Sequence, residues 1–399
     1  MYLEPSIAHP RQQLLVVEGR KVLGVCIVCG KKAPTISSTL RVCLDCLRRE
    51  PKALDIARKA HTSWRQKHGF SSSPPRDLGG VRCRLCVNEC SLGNGGKGFC
   101  GVWHNVGGRL QRRGLLAYWY LDPHPTNCVA APVCPANTSQ GYPRYTKAVG
   151  IERGYYNLAV FMLGCSLDCL FCQNWEHKTL LVEGPPPKYV RSVDELVEAA
   201  MDPLVTCVCY FGGDPTPHAP DLILASKKIL EEAEKRGVVK RICWETNGLA
   251  NPVVFREMAR LSLESGGIVK IDWKAWTPQV YEALTGVDGF RAVERLKENA
   301  KIAVELWHES GRRRPPLLVV SILLVPGYVD VYEVEQIASY LAELDKDIPL
   351  MLLAFHPEHR MRDLPTTSWR HALEAARVAR KAGLKHVFIG NSWLLSNAY

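Results

Sequence analysis

From about residue 155 the chain alternates short, unbroken apolar runs with longer stretches in which apolar residues recur every three or four positions. The runs at 156–163, 205–211, 240–244, 268–273, 317–325, 349–355 and 386–389 read as strands buried on both faces. The periodic stretches at 192–201, 220–236, 253–265, 290–309, 331–345 and 368–382 read as helices. This alternation predicts an α/β fold with a parallel sheet, either open or closed as a partial barrel, whose working residues sit at the C-terminal strand ends. Before residue 155 the pattern weakens. Residues 48–68 read as a helix with Pro51 near its first turn. Ser71–Gly80 has the composition of a linker. Residues 81–150 are rich in Gly, Pro and Cys with little apolar period, so their order is expected to depend on bound metal. No internal repeat is visible.

The chain has 399 residues, 46% of them hydrophobic and 23% charged. It has no run of 18 apolar residues, and its first 25 residues lack the layout of a signal peptide, so the expectation is a cytoplasmic protein without a membrane span. In such a compartment, 16 cysteines point to metal ligation rather than disulfides. The net charge of +11 is uneven: residues 1–160 carry 23 Lys and Arg against 9 acids, and residues 161–399 carry 28 against 31. A basic first part suits an anionic small molecule, a lipid headgroup, RNA or an acidic protein partner.

Eleven cysteines form three clusters. Cys26-x2-Cys29 and Cys43-x2-Cys46 are two pairs 13 residues apart, the ligand spacing of a zinc ribbon. Cys83-x2-Cys86-x3-Cys90 followed by Cys100 is a second four-thiolate set, for zinc or for an iron–sulfur cluster, and spacing does not choose between them. The third lies just after the first predicted strand, in Gly164-Cys-Ser-Leu-Asp-Cys-Leu-Phe-Cys-Gln-Asn-Trp175. Its Cys165, Cys169 and Cys172 give three thiolates where iron–sulfur clusters normally take four, leaving one iron of a four-iron cluster open to substrate or cofactor.

This C-x3-C-x2-C triad, with Phe171 before its last cysteine, resembles the signature of radical S-adenosylmethionine (SAM) enzymes. The Cys-Gln-Asn-Trp that closes it is similar to the pyruvate formate-lyase activating enzyme group, within it to the AmmeMemoRadiSam type. The likeness runs from about residue 81 to the C-terminus. It implies a partial (β/α)6 barrel in which a 4Fe–4S cluster on Cys165, Cys169 and Cys172 chelates SAM. An external one-electron reductant then drives cleavage of SAM to a hydrogen-abstracting 5′-deoxyadenosyl radical. The resemblance continues through Tyr210-Phe-Gly-Gly-Asp-Pro-Thr-Pro217, which is like a Gly-Gly-Glu-Pro motif with Asp214 in place of Glu. It continues again through Glu245-Thr-Asn-Gly248, Lys270-Ile-Asp-Trp-Lys274, Leu353-Ala-Phe-His356-Pro and Phe388-Ile-Gly-Asn391. It implies that Phe171, Gly212, Gly213, Asp214, Glu245, Asp272, Lys274 and His356 surround SAM. The expected domains are therefore a zinc ribbon plus helix (1–70), a Cys-rich metal-binding segment with its linker (71–150) and the radical SAM barrel (151–399).

Cys128 and Cys134 sit in a Pro-rich, rigid loop, where a metal site, a lid at the barrel mouth or a disulfide are the options. Cys207 and Cys209 share one face of a strand and, with Cys243, read as small buried hydrophobic residues. The substrate is open between a protein activated by hydrogen abstraction and a small molecule, lipid or RNA held by the basic first part. A zinc-ribbon scaffold with a relict cluster is the non-enzymatic alternative.

Overall fold

The computed structural model describes residues 23–126 and 128–399. The first part is built of small pieces. A hairpin, β1 (Gly24–Val25) and β2 (Lys32–Ala33), leads into helices α1 (Leu44–Arg49) and α2 (Pro51–Lys67). The expected helix over 48–68 is thus broken at Glu50. A residue before proline is pushed to extended backbone, as Glu50 is (φ −114°, ψ 109°), and Pro51 then starts a new helix where its missing N–H costs nothing. Two more hairpins follow, β3 (Val81–Arg82) with β4 (Ser91–Leu92) and β5 (His104–Val106) with β6 (Arg109–Gln111).

The main sheet opens with β7 (Leu115–Pro123); the short helix α3 (Pro135–Thr138) follows it. Seven parallel strands then appear where apolar runs predicted them: β8 (Tyr156–Met162), β10 (Val205–Phe211), β11 (Arg241–Thr246), β12 (Val269–Asp272), β13 (Leu318–Leu324), β14 (Leu350–Ala354) and β15 (Val387–Gly390). Between them run α4 (Glu176–Glu183), the two-residue strand β9 (Val190–Arg191), α5 (Val193–Ala200), α6 (Ala219–Arg236), α7 (Pro252–Ser265), α8 (Pro278–Thr285), α9 (Gly289–Glu309), α10 (Val331–Leu344) and α11 (Trp369–Lys381). The result is six strand–helix units closed by a seventh parallel strand. The sheet order is β15-β14-β13-β12-β11-β10-β8-β7-β9, an open edge at each end.

Strand β7 runs antiparallel to β8 over seven residue pairs, Ala117 opposite Met162 through Pro123 opposite Tyr156. The cysteine-rich stretch thus contributes a strand to the sheet, between β8 and the two-residue β9. Strand β10 is buried along all but its last residue, and the side chains of Trp244, Trp273, Tyr210, Tyr281 and Tyr328 are fully buried. Among the described residues no helix is long and apolar enough to cross a membrane.

The N-terminal pieces dock at the C-terminal strand ends. The Tyr328 hydroxyl accepts from the Ser37 N–H (2.9 Å) and donates to the Val42 carbonyl (3.1 Å). Arg48 forks onto both carboxylate oxygens of Asp330 (2.8 Å each) and also reaches Glu333. Glu333 in turn accepts the N–H groups of Trp276 (2.7 Å) and Thr277 (2.8 Å), so α1 braces the loop after β12.

Candidate active site

Strand β8 delivers the chain at Gly164 into the triad loop, and three neighbouring strand ends close around it. Asp168, inside the triad, is 1% exposed and faces three basic side chains: His61 Nδ1 at 2.8 Å, Lys178 Nζ at 2.8 Å and Arg65 at 3.5 Å. Burial opposes ionisation of Asp168, but Lys178, His61 and Arg65 outweigh it and hold the carboxyl well below its ordinary range. Lys178 comes from α4, and His61 and Arg65 from α2. Backbone bonds from Asp168 N to Thr285 O (2.7 Å), Leu170 N to Leu284 O (3.1 Å) and Arg360 N to Leu170 O (2.9 Å) fix the loop on its other sides.

The three cysteines are half-buried, and loss of solvent pushes all their thiols up, Cys169 to about 12. Metal or cluster ligation is the chemistry that stabilises thiolates in such a place. Donors already point at Cys165 Sγ, the Leu167 N–H at 3.4 Å and the Asn247 amide at 3.7 Å. The donor set therefore fits a cluster. Phe171 is buried beneath the loop with Lys274 Nζ 5.8 Å over its ring.

After β10 the chain turns at Gly212 (φ +67°) and Gly213 (φ +44°). A Cβ on Gly213 would lie 2.4 Å from Met162 O and 2.5 Å from Gly164 O, so only glycine lets this turn lie against the triad loop. The Asp214 N–H completes the contact by donating to Gly164 O (3.0 Å). The Asp214 carboxylate accepts from Thr246 Oγ1 (2.9 Å), the Asn247 N–H (2.9 Å) and the Thr216 N–H (3.0 Å). It ties the ends of β10 and β11 together.

Glu245, Lys270, Asp272 and Lys274 form one chain of alternating charge: Glu245 to Lys270 (3.0 Å), Lys270 to Asp272 (3.2 Å), Asp272 to Lys274 (3.0 Å). Ser321 donates to Asp272 from the next strand. Burial works against the Asp272 charge, but Lys270 and Lys274 overcome it and keep the carboxyl well below its usual range. The far end of the chain reaches Cys128, whose thiol donates to Glu245 (3.2 Å). Cys128 and Cys134 are both free, so the disulfide option is not taken up; Cys134 packs with Ala136 and Cys207, and Cys128 and Cys243 each pack against the cluster of Ala130, Val133, Ile268, Val319 and Met351. His356 stands apart, its side chain 43% exposed and 3.9 Å from Glu358.

In the N-terminal set, the sulfurs of Cys26 and Cys46 lie 3.7 Å apart and those of Cys29 and Cys43 lie 3.8 Å apart. All four ligand atoms fall within 4.8 Å of one another. A zinc ion bound at about 2.3 Å has a tetrahedral edge of about 3.8 Å, so the set fits such an ion.

Sequence reasoning picked out the triad, the glycine turn and the Asp272–Lys274 pair, and the fold brings these together. It missed Asp168 with its three basic partners, and Ser321. Lys270 was within reach, since Lys270, Asp272 and Lys274 alternate on one side of an extended segment.

Residues 159–333 match the sequence model of the radical SAM superfamily. The chain is 26% identical over 323 residues to the uncharacterized protein MJ0808 of Methanocaldococcus jannaschii, covering 78% of this chain and 81% of that one. It is 21% identical over 240 residues to the uncharacterized protein MJ0674 of the same organism, covering 57% and 62%. Among solved structures, a domain of pyruvate-formate lyase-activating enzyme from Bacteroides vulgatus is similar at 21% identity and a TM-score of 0.36, over 46% of this chain and 98% of that one. The triad loop, the glycine turn that supports it and the charged chain beside it thus all fall inside one family match, and residues 159–333 are a radical SAM domain.

Proposed function

We propose that the chain is a radical SAM enzyme whose cluster is held by Cys165, Cys169 and Cys172. When bound, a 4Fe–4S cluster and SAM supply a one-electron reductive cleavage that yields a hydrogen-abstracting 5′-deoxyadenosyl radical. This chain's part is to hold and orient. The backbone of Gly212 and Gly213 lies against the triad loop and offers carbonyls to an ammonium group, with Asp214 keeping the turn in place. Glu245, Asp272 and Lys274 present hydroxyl- and carboxylate-binding groups, Phe171 an apolar wall, and His356 an exposed imidazole at the rim. The observation that carries the reading is the half-buried thiol triad with hydrogen-bond donors already aimed at Cys165.

The N-terminal set is read as a structural zinc site because its sulfur spacing matches the tetrahedron. For the substrate, the reading is a protein activated by hydrogen abstraction, as in the activating enzymes that the sequence resembles, with an external one-electron reductant. A second reading, an anionic small molecule, lipid or RNA, is favoured by the basic excess of residues 1–160; RNA binding that fails to weaken with salt would remove that ligand. The test of the main reading is electron paramagnetic resonance of the reduced, reconstituted protein. A spectrum that changes when SAM is added supports it, and an unchanged spectrum overturns it.

A further inference from the structure

The cysteine sets differ in how tightly they close. Among the described residues, only Cys26, Cys29, Cys43 and Cys46 gather three or more ligand atoms all within 4.8 Å of one another. Cys83, Cys86, Cys90 and Cys100 are still neighbours. Cys83 N donates to Cys90 O (2.8 Å) and Glu89 N to Cys86 O (3.1 Å), which folds the first three into one tight turn, and Cys100 meets the same triad loop that this turn meets. Cys165, Cys169 and Cys172, on one short loop, likewise do not bring their three sulfurs within 4.8 Å of one another. Four cysteines gathered by the backbone without closing to 4.8 Å suit a four-iron cube, whose ligand sulfurs stand roughly 6 Å apart, better than a single ion.

The second set also abuts the triad loop. Asn88, between Cys86 and Cys90, donates its buried amide to Ser166 O at 2.7 Å. A Cβ on Gly164, next to Cys165, would lie 3.0 Å from Cys100 O. Val87 N bonds Leu249 O (2.9 Å), in the loop whose Asn247 reaches both Ser166 (2.9 Å) and Cys165. Arg65 lies between the sets: it donates to Phe99 O (2.8 Å), next to Cys100, and sits 3.5 Å from Asp168.

We propose that Cys83, Cys86, Cys90 and Cys100 hold a second 4Fe–4S cluster, packed against the triad loop and exchanging single electrons with the group bound there. A low-potential protein donor of the ferredoxin or flavodoxin class loses one electron to this cluster. The cluster then passes that electron to the triad's cluster, with no bond made or broken at the cysteines. The electron exchange rests on the radical SAM reading; the metal site itself does not.

The test is metal content and magnetic resonance of the full chain reconstituted with iron and sulfide without oxygen. The wild type should hold about eight irons and about one zinc. The Cys165→Ala/Cys169→Ala/Cys172→Ala variant should keep about four irons and a reducible signal indifferent to SAM. The Cys83→Ser/Cys100→Ser variant should keep about four irons and a signal that responds to SAM. Absence of iron from the first variant with about two zincs bound overturns the proposal, as does unchanged iron in the second. If the first variant holds no metal at all, the iron count of the second decides. A wild-type spectrum deaf to SAM, with four irons retained in the first variant, would instead sink the radical SAM reading and leave the second site standing.

Discussion

Replacing Asp168 by Asn keeps the size of the side chain and removes the one negative charge facing His61, Arg65 and Lys178. All four residues are at most 2% exposed except Lys178, at 4%. A surface ion pair contributes about 0–1 kcal/mol, whereas breaking a buried one by removing a single partner costs about 3–5 kcal/mol, because a buried charge is left unpaired. The expectation for Asp168→Asn is the larger figure, read as a lowered urea midpoint of the reconstituted protein. Iron retention should fall in parallel, since Asp168 anchors the loop of Cys165–Cys172. The double variant Asp168→Asn/Lys178→Met tests the cause. Lys178 Nζ lies 5.1 Å over the Trp64 ring, a place where a methionine sulfur packs well, so removing the stranded charge should recover much of the loss. A single variant within about 1 kcal/mol of wild type, or a double variant less stable than the single, refutes the reasoning.

Other substitutions and conditions probe separate parts. Gly213→Ala forces a Cβ within 2.4 Å of backbone, so it should lower both iron occupancy and thermal stability; normal values for both would show that the glycine turn is not a tight contact. Lys274→Met should weaken SAM binding, measured by equilibrium dialysis, and leave iron content unchanged. Acid should destabilise the fold in two stages. Burial holds His124 at about 4 against an ordinary 6.5, so the unfolded chain takes up a proton first and stability falls from about pH 6.5 to 4. Glu152, doubly bonded to Arg241 (2.9 and 2.6 Å), is held at about 2 against 4.5 although burial opposes it. Its contribution, full above pH 4.5, is lost as pH falls toward 2. A thermal midpoint flat from pH 7 to 4 contradicts this. Cys46→Ser should release the ion of the N-terminal set and loosen the brace from α1 through Arg48 and Glu333, seen as faster amide exchange at Trp276 and Thr277.

The parallel strands were legible because most are buried on both faces and so read as apolar runs, as Val205–Phe211 does. Strand β7 was not, since Gly114 and Pro123 bound it and its outer half, Tyr120 to Pro123, is exposed or half-buried. The break at Glu50 follows from Pro51, and only the strict reading of the residue before proline would have placed it. Site residues that share one strand end, such as Asp272 and Lys274, were within reach of spacing arguments. The Asp168 cluster was not: its partners lie on α2 and α4, and His61 is 107 positions away, a contact that only tertiary packing creates.

The central claim is that this chain cleaves SAM reductively on the Cys165–Cys172 loop. The direct measurement is 5′-deoxyadenosine formed from SAM by the anaerobically reconstituted, chemically reduced protein, alongside Cys165→Ala. The account predicts product from the wild type and only background from the variant. Equal background from both, with the cluster present in the wild type, would contradict it.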